Sequence, residues 1–255
     1  MQTIASGRVA FWQGGSLWVF DVPGGAAAPS RNDMHAHHAF QLTFALGGEF
    51  VLHLEDRELS SSAAVVAPDI PHAFQARGLV GLLFIEPESR AGRAMAQLMS
   101  GEPGRLISAE QARDAPHLFK QAFAEPTDHR SAMRDAGMLV CDRIAGHARS
   151  TEPDRRVRGM IRWASEHLDA APAINAAAES VGLSPSRASH LFVEETGLPF
   201  RTYVLWLRVT RAVDAYAAGA SLTSAAQEAG FADSAHLSRT FKRMFGMPAA
   251  SLEMS

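Results

Sequence analysis

Up to about Pro87 the chain places apolar residues at every second position in short runs broken by Gly, Pro, Asn and Asp: VAFWQGG, SLWVFDVPGG, AFQLTFALGGEFVLHLEDRE, AAVVAPDIPHAF and LVGLLFIEP. A period of two belongs to strands with one buried face, and the interruptions are turn formers. After QLTFALGG, the run EFVLHLEDRE puts Phe50, Leu52 and Leu54 on one face and Glu49, Val51 and His53 on the other, which predicts a hairpin turning at Gly47-Gly48. Several such strands without an intervening helix predict a sandwich or small barrel with room inside for one small ligand.

From about Ala91 the period becomes helical, with Met95, Leu98 and Met99, then Leu118, Phe119, Ala122 and Phe123, then Met133, Gly137, Val140 and Ile144. The Met133 to Ile144 face has two readings, packing against the sheet or the seam of a homodimer. The stretch HARSTEPDR, His147 to Arg155, is small, polar and proline-bearing, and is taken as the boundary between domains. The expected organisation is a sheet domain over 1–90, a helical linker or dimerisation region over 91–150, and an all-helical domain over 155–255. That last domain opens with a helix carrying Val157, Ile161, Ala164 and Leu168 on one face.

Within it, INAAAESVGLSPSRASHLFVEETG reads as two helices joined by a tight turn. Gly182 supplies a left-handed residue at the end of the first helix, Ser184 a cap for the second, and Pro185 its first turn. Ala188, Leu191 and Phe192 point inward, leaving Ser186, Arg187, Ser189, His190 and Val193 outside. The pattern returns in SLTSAAQEAGFADSAHLSRTFKRMFG, with a turn at Gly230, a cap at Asp233, and Leu237, Phe241 and Phe245 inside; Ser234, Ala235, Ser238, Arg239, Lys242 and Arg243 lie on the outer side. Two helix-turn-helix units joined by a helix from about Phe200 to Ala218, roughly 27 Å at about 1.5 Å per residue, would set two recognition helices near one DNA turn apart.

Composition changes this picture little. The 255 residues carry a formal charge of −3, and the Lys/Arg against Asp/Glu balance is 13 to 16 over residues 1–150 and 11 to 11 over 151–255. DNA binding must therefore rest on a local basic face and not on net charge. The single cysteine, Cys141, excludes an intramolecular disulfide and is read as a buried thiol or a thiol sensor. No apolar run is long enough to span a bilayer and no targeting segment opens the chain, so a cytoplasmic protein without a membrane partner is expected.

The last hundred residues resemble the DNA-binding domain of the AraC/XylS transcription regulators of bacteria. The string AAQEAGFADSAHLSRTFKRMFGMP is similar to the family's second-unit signature through Ala226, Gly230, Phe231, Leu237, Arg239, Phe241, Lys242, Phe245, Gly246 and Pro248. The resemblance implies base contacts from Ser186, Ser189 and His190 in the first unit and from Ser234, Ala235, Ser238 and Arg239 in the second. Arg187, Arg201, Lys242 and Arg243 would contact phosphates. It also implies double-stranded DNA as partner, RNA polymerase as a further partner of an activator, and a small-molecule effector. After Pro248 the chain departs from the family: AASLEMS replaces the usual serine, aromatic and arginine, which predicts fraying of the last helix.

HAHHAFQLTFALGGEF and APDIPHAF resemble the two halves of a cupin barrel, the sensor of many such regulators. His35, His37 and His72 fall on the family's metal-binding histidines, and Gln41 stands where its glutamate would be. Three imidazoles could hold Zn, Fe or Ni, so a divalent metal is one reading. The other is an organic effector in a pocket formed by His35, His37, Phe40, Phe44, His72 and Phe74, needing no cofactor. Trp12 and Trp18 are either further lining or ordinary core. The fold class expected is α+β in two domains, a cupin-like β-barrel with flanking helices and an all-α domain with two helix-turn-helix units. The function expected is an effector-responsive AraC-type regulator without enzymatic activity; the alternative is a metal-binding cupin sensor or metalloenzyme with a helical appendage.

Overall fold

The structure is a computed structural model that describes residues 5–23, 31–146, 154–170 and 172–254. It divides into two compact units, 1–150 together with 241–255, and 151–240. The boundary differs from the one expected, because the last fifteen residues group with the sheet. Apart from Asp154 and Arg155, the polar connection predicted over His147–Arg155 lies outside the described residues.

The first unit is built on strands β1 (Ala5–Trp12), β2 (Gly15–Val22), β3 (Phe40–Ala45), β4 (Glu49–Leu54), β5 (Glu58–Leu59), β6 (Ala63–Val66), β7 (His72–Ile85), β8 (Gly104–Leu106) and β9 (Leu252–Met254). Their order is β8-β6-β3-β7-β2-β1-β9, with β4 pairing β7 and β5. Among the described residues no ladder joins β8 to β9, so hydrogen bonding does not close the sheet into a ring.

Strand β7 organises the unit because it serves two partners in succession. Its first half pairs β4, Leu54↔His72 to Glu49↔Arg77, and its second half lies between β2 and β3. The hairpin predicted at Gly47-Gly48 is therefore not made: β3 and β4 pair with different halves of β7 and not with each other. Glycine chemistry explains the difference. A Cβ on Gly48 would lie 2.2 Å from the Arg77 carbonyl oxygen, and Gly78, where β7 bends, has φ +71. Two glycines in contact let the chain cross from one layer to the other at that point. The alternation predicted for β4 is observed, with Phe50, Leu52 and Leu54 buried.

Helices α1 (Arg90–Met99), α2 (Ala109–Ala112), α3 (Ala115–Ala124) and α4 (His129–Gly146) cover one face of the sheet. Met95 and Met99, Phe119, and Met133, Val140 and Cys141 share a core with Leu42, Phe44, Leu83 and Ile85. The Met133 to Ile144 face thus packs on the sheet, as in the first of its two readings. At Gly137 a Cβ would stand 2.3 Å from the Trp12 ring, so α4 approaches β1 closely and Trp12 is core. Burial pushes the Cys141 thiol up to about 12, with Asp142 adding to the shift, and this favours a structural thiol over a sensor.

The second unit contains α5 (Arg155–Glu166), α6 (Ile174–Ser180), α7 (Pro185–Thr196), α8 (Phe200–Ala217), α9 (Leu222–Glu228) and the first two turns of α10 (Ser234–Phe245). Val157, Met160, Ala177, Ala188, Leu191, Phe192 and Tyr203 form the core around α6 and α7. The local signals hold. Ser184 accepts from the Arg187 N–H at 3.3 Å, Asp233 from the His236 N–H at 2.6 Å, and Gly182 and Gly230 have φ +69 and +77. No helix among the described residues is long and apolar enough to cross a membrane.

The predicted fraying at the C-terminus is not what the structure shows. After one 3-10 turn over Ala249–Ser251, Leu252–Met254 runs parallel to β1, pairing Ala5↔Leu252 and Gly7↔Met254. The residues that break the family pattern are those that make a strand.

Candidate functional site: a nucleic-acid interface and two chambers in the sheet unit

On α7 the residues Ser186, Arg187, Ser189 and His190 are exposed around the buried Ala188, Leu191 and Phe192. On α10, Ala235, Arg239, Lys242 and Arg243 are exposed, and Ser234 and Ser238 are half-buried. The predicted candidates thus share the outward side of their own helices. Ser189 and Ser238 donate to the carbonyls of Pro185 and Ser234 at 2.9 and 2.8 Å, which leaves their oxygens as acceptors. Arg201 is exposed in the first turn of α8. Lys242 differs from the rest, with Nζ 3.1 Å from the Asp33 carboxylate, so a phosphate there would compete with an ion pair.

In the sheet unit the six residues predicted to form one pocket are divided between two faces. Phe40 and Phe44 point with Leu42 into the helix-covered core, whereas Gln41 and Thr43 point the other way. His35, His37 and His72 gather with Gln41 on that other side, and Phe74 lines the same small cavity as His35 and Gln41. Odd and even positions of one strand cannot line the same chamber, so the two phenylalanines of β3 leave the pocket assigned to them.

The backbone brings the histidines together: His35 and His72 form an antiparallel bridge, with both N–H···O distances 2.9 Å. His35 Nδ1 lies 3.0 Å from the Asp33 carbonyl and His72 Nδ1 2.8 Å from that of Ile70. A carbonyl only accepts, so both Nδ1 atoms carry protons and both Nε2 atoms present lone pairs. The Gln41 side chain lies 3.0 Å from His37 Nε2 and 3.3 Å from His72 Nε2. Satisfying a neutral His72 requires the amide nitrogen to face the imidazoles and its oxygen to face the Thr43 hydroxyl, 3.3 Å away. Burial, followed by the neighbouring His72, pushes His35 down to about 4 and His37 well below the usual range, and burial also lowers His72. The cluster is a neutral network.

One ring nitrogen from each histidine lies within 4.8 Å of the others. A tetrahedral metal with bonds of about 2.0–2.1 Å would need them about 3.3 Å apart, a spacing within that bound. The amide occupies two of the lone pairs a metal would use, and no carboxylate joins the set. What stands against a metal is the Gln41 amide on the imidazoles, not their spacing.

The chamber beside them holds about 60 Å³ and is lined by Trp18, Phe84, Phe245 and Met247 among others. Phe245 stands 5.1 Å from Trp18 and 5.8 Å from His37 by ring centroids, and the Asn32 amide donates to its carbonyl at 2.8 Å. Trp18 is thus lining as well as core.

Sequence reasoning missed two features. His38, adjacent to the cluster, turns away from it, 3.2 Å from Glu88 and 3.5 Å from Asp69. Burial opposes its charge, but hydrogen bonds to Asp69 and Glu88 outweigh burial and raise it to about 9. The second feature is a cavity of about 540 Å³ on the helix-covered face, lined by Leu42, Phe44, Met95, Arg105, Val140 and Arg143 among others. At ~24 cal/mol per Å³ a sealed void of that size would cost ~13 kcal/mol, comparable with a whole domain's stability, so the space belongs to solvent or a ligand. Neither carries a local motif; each depends on residues brought together from distant segments.

A family model described as a helix-turn-helix domain matches residues 177–253. No curated protein sequence matches the chain. Among solved structures it is similar to an apo variant of ToxT from Vibrio cholerae strain SCE256, with 8% identity over 94% of this chain and 97% of that one and a TM-score of 0.60. ToxT from Vibrio cholerae O395 gives 10% identity over 94% and 96%, TM-score 0.57. Wild-type ToxT bound to an unsaturated fatty acid, from strain SCE256, gives 9% identity over 93% and 94%, TM-score 0.55. At such identities the likeness is one of fold. The chain thus carries a helix-turn-helix domain over residues 177–253, with a sheet-rich unit before it in sequence and a fold similar to that of ToxT.

Proposed function

We propose that the chain reads an operator with the outward faces of α7 and α10, and that a small organic effector held in the sheet unit alters that reading. Base contacts are assigned to Ser186, Ser189 and His190 on α7 and to Ser234, Ala235, Ser238 and Arg239 on α10, with Arg187, Arg201, Lys242 and Arg243 on phosphates. The observation that carries the proposal is Arg239, an exposed guanidinium on the outer side of a capped helix in the second helix-turn-helix unit. Such a group donates to guanine O6 and N7 in the major groove. On α7 the outward candidates are short apart from Arg187 and His190, so α10 carries the larger share of direct readout.

An organic effector is supported by the open cavity in the sheet unit and by the likeness to ToxT, one structure of which holds a fatty acid. Helix α10 is continuous from Ser234 to Phe245, and its residues from Phe241 onward group with the sheet unit. An effector that prefers one arrangement of that unit therefore has a covalent route to a reading helix. The proposal assigns no reaction to the chain, places it in the bacterial cytoplasm, and involves RNA polymerase where the regulator activates.

The test is a gel shift with the operator. Arg239→Ala is expected to weaken binding by about 1–3 kcal/mol, roughly 5- to 150-fold, and to relax preference at one base pair. Unchanged affinity and preference remove Arg239 from the interface.

A further inference from the structure

The 540 Å³ cavity on the helix-covered face has apolar walls from Leu42, Phe44, Val65, Met95, Leu98 and Val140, and a charged rim. Three arginines and two acids line it. Arg143 Nη1 is 2.7 Å from the Asp114 carboxylate, and Arg113 is 3.8 Å from Glu110. Arg105 is left over: its Nε is buried and has no hydrogen-bond partner among the described residues. It sits in the middle of β8, opposite Val65 on β6, so a paired strand fixes its backbone. A Cβ on the preceding Gly104 would stand 2.9 Å from the Leu54 side chain, so β8 is also held close against the layer beneath.

We infer that this cavity binds an apolar molecule carrying one carboxylate, with Arg105 as the group that receives it. The inference rests on the reading of the sheet unit as an effector-binding unit and supplies the place and the chemical class. An unpartnered Nε is the donor that a guanidinium uses together with Nη to grip a carboxylate side-on. A cation would meet an uncompensated positive charge. A second negative charge would meet Glu110 and Asp114. A sugar would leave its hydroxyls against six apolar side chains. At about 30 Å³ per non-hydrogen atom, the share of a water in the liquid, the volume admits on the order of eighteen such atoms. The chamber beside the histidines, about 60 Å³, is too small for such a body.

The experiment is calorimetric titration of the full chain, without DNA, with decanoate, decanol and decylamine. Decanoate is expected to bind at least tenfold more tightly than either of the others. Arg105→Met is expected to weaken decanoate at least tenfold and to leave decanol unchanged. Nuclear Overhauser contacts from the decanoate chain to a ¹³C-labelled Met95 methyl locate it in the wild-type protein, so the site is tested even where the variant fails to fold. Equal binding of decanoate and decanol overturns the inference. So does a folded Arg105→Met with undiminished decanoate affinity, and so do contacts to the Met247 methyl in place of Met95. Because DNA is absent, failure here leaves operator reading standing, and failure of operator reading leaves this titration unaffected.

Discussion

His38 offers a quantity that can be worked out before it is measured. Its imidazole is buried between Glu88 at 3.2 Å, itself buried, and the exposed Asp69 at 3.5 Å, and is raised from 6.5 to about 9. A group with a raised folded pKa stabilises fully below its unfolded value and loses that contribution as pH rises through the folded one. Over an interval of about 2.5 units at 1.36 kcal/mol each, the sheet unit should lose about 3 kcal/mol between pH 6.5 and pH 9.5. This is an upper figure, because solvent screens the share of Asp69. The assay is urea denaturation followed by ¹⁹F NMR of 5-fluorotryptophan protein, in which the Trp12 and Trp18 signals report this unit separately. His38→Gln should be less stable than the parent at pH 6.5, because Glu88 loses its buried cation, and should show little change up to pH 9.5. A parent as stable at pH 9.5 as at 6.5, or an imidazole titrating below 6.5 by NMR, would refute the reasoning. On the acid side the sign reverses. His35, lowered to about 4, and the similarly lowered His37 and His72 cost stability as pH falls from 6.5 toward 4, so the unit should be most stable near pH 6.5.

Three further outcomes are expected. Arg243→Ala should weaken operator and random duplexes about equally and reduce the slope of log K against log salt by about 1; a sequence-selective loss would move Arg243 to the bases. Gly230→Ala combines φ +77 with a Cβ 2.2 Å from the Leu168 carbonyl oxygen, so it should destabilise the second unit by more than the ~1–2 kcal/mol of a left-handed alanine, read as an earlier loss of the Trp163 and Trp206 ¹⁹F signals. Protein purified without chelator should hold well under one metal ion per chain, and Gln41→Glu, which supplies the missing carboxylate, should raise zinc retention; stoichiometric metal in the parent would contradict the neutral network.

What could be read from the sequence was what local chemistry decides. Ser184, Asp233, Gly182 and Gly230 act within a few residues of themselves, and their caps and turns stand where the pattern puts them. The histidine cluster was legible as three histidines, His35, His37 and His72, at cupin-like spacing. Its partner list was not, because assigning Phe40 and Phe44 to the same chamber ignored that Gln41 lies between them in phase on β3. The Gly47-Gly48 hairpin failed for a tertiary reason, the contact of Gly48 with Gly78 thirty residues on. Strand β9 was hidden because three residues gain their extended conformation from β1, at the opposite end of the chain. Arg105 has no signature at all; only the surplus of one cation around a cavity marks it.

The central claim, that α7 and α10 read DNA by sequence, is tested most directly by selecting bound duplexes from a random pool with the full chain and mapping the enriched sequence by hydroxyl-radical footprinting. Enrichment of one motif, protected over two major-groove segments about one helical turn apart, is the predicted result. A pool that stays random, with protection spread evenly along the duplex, would contradict it.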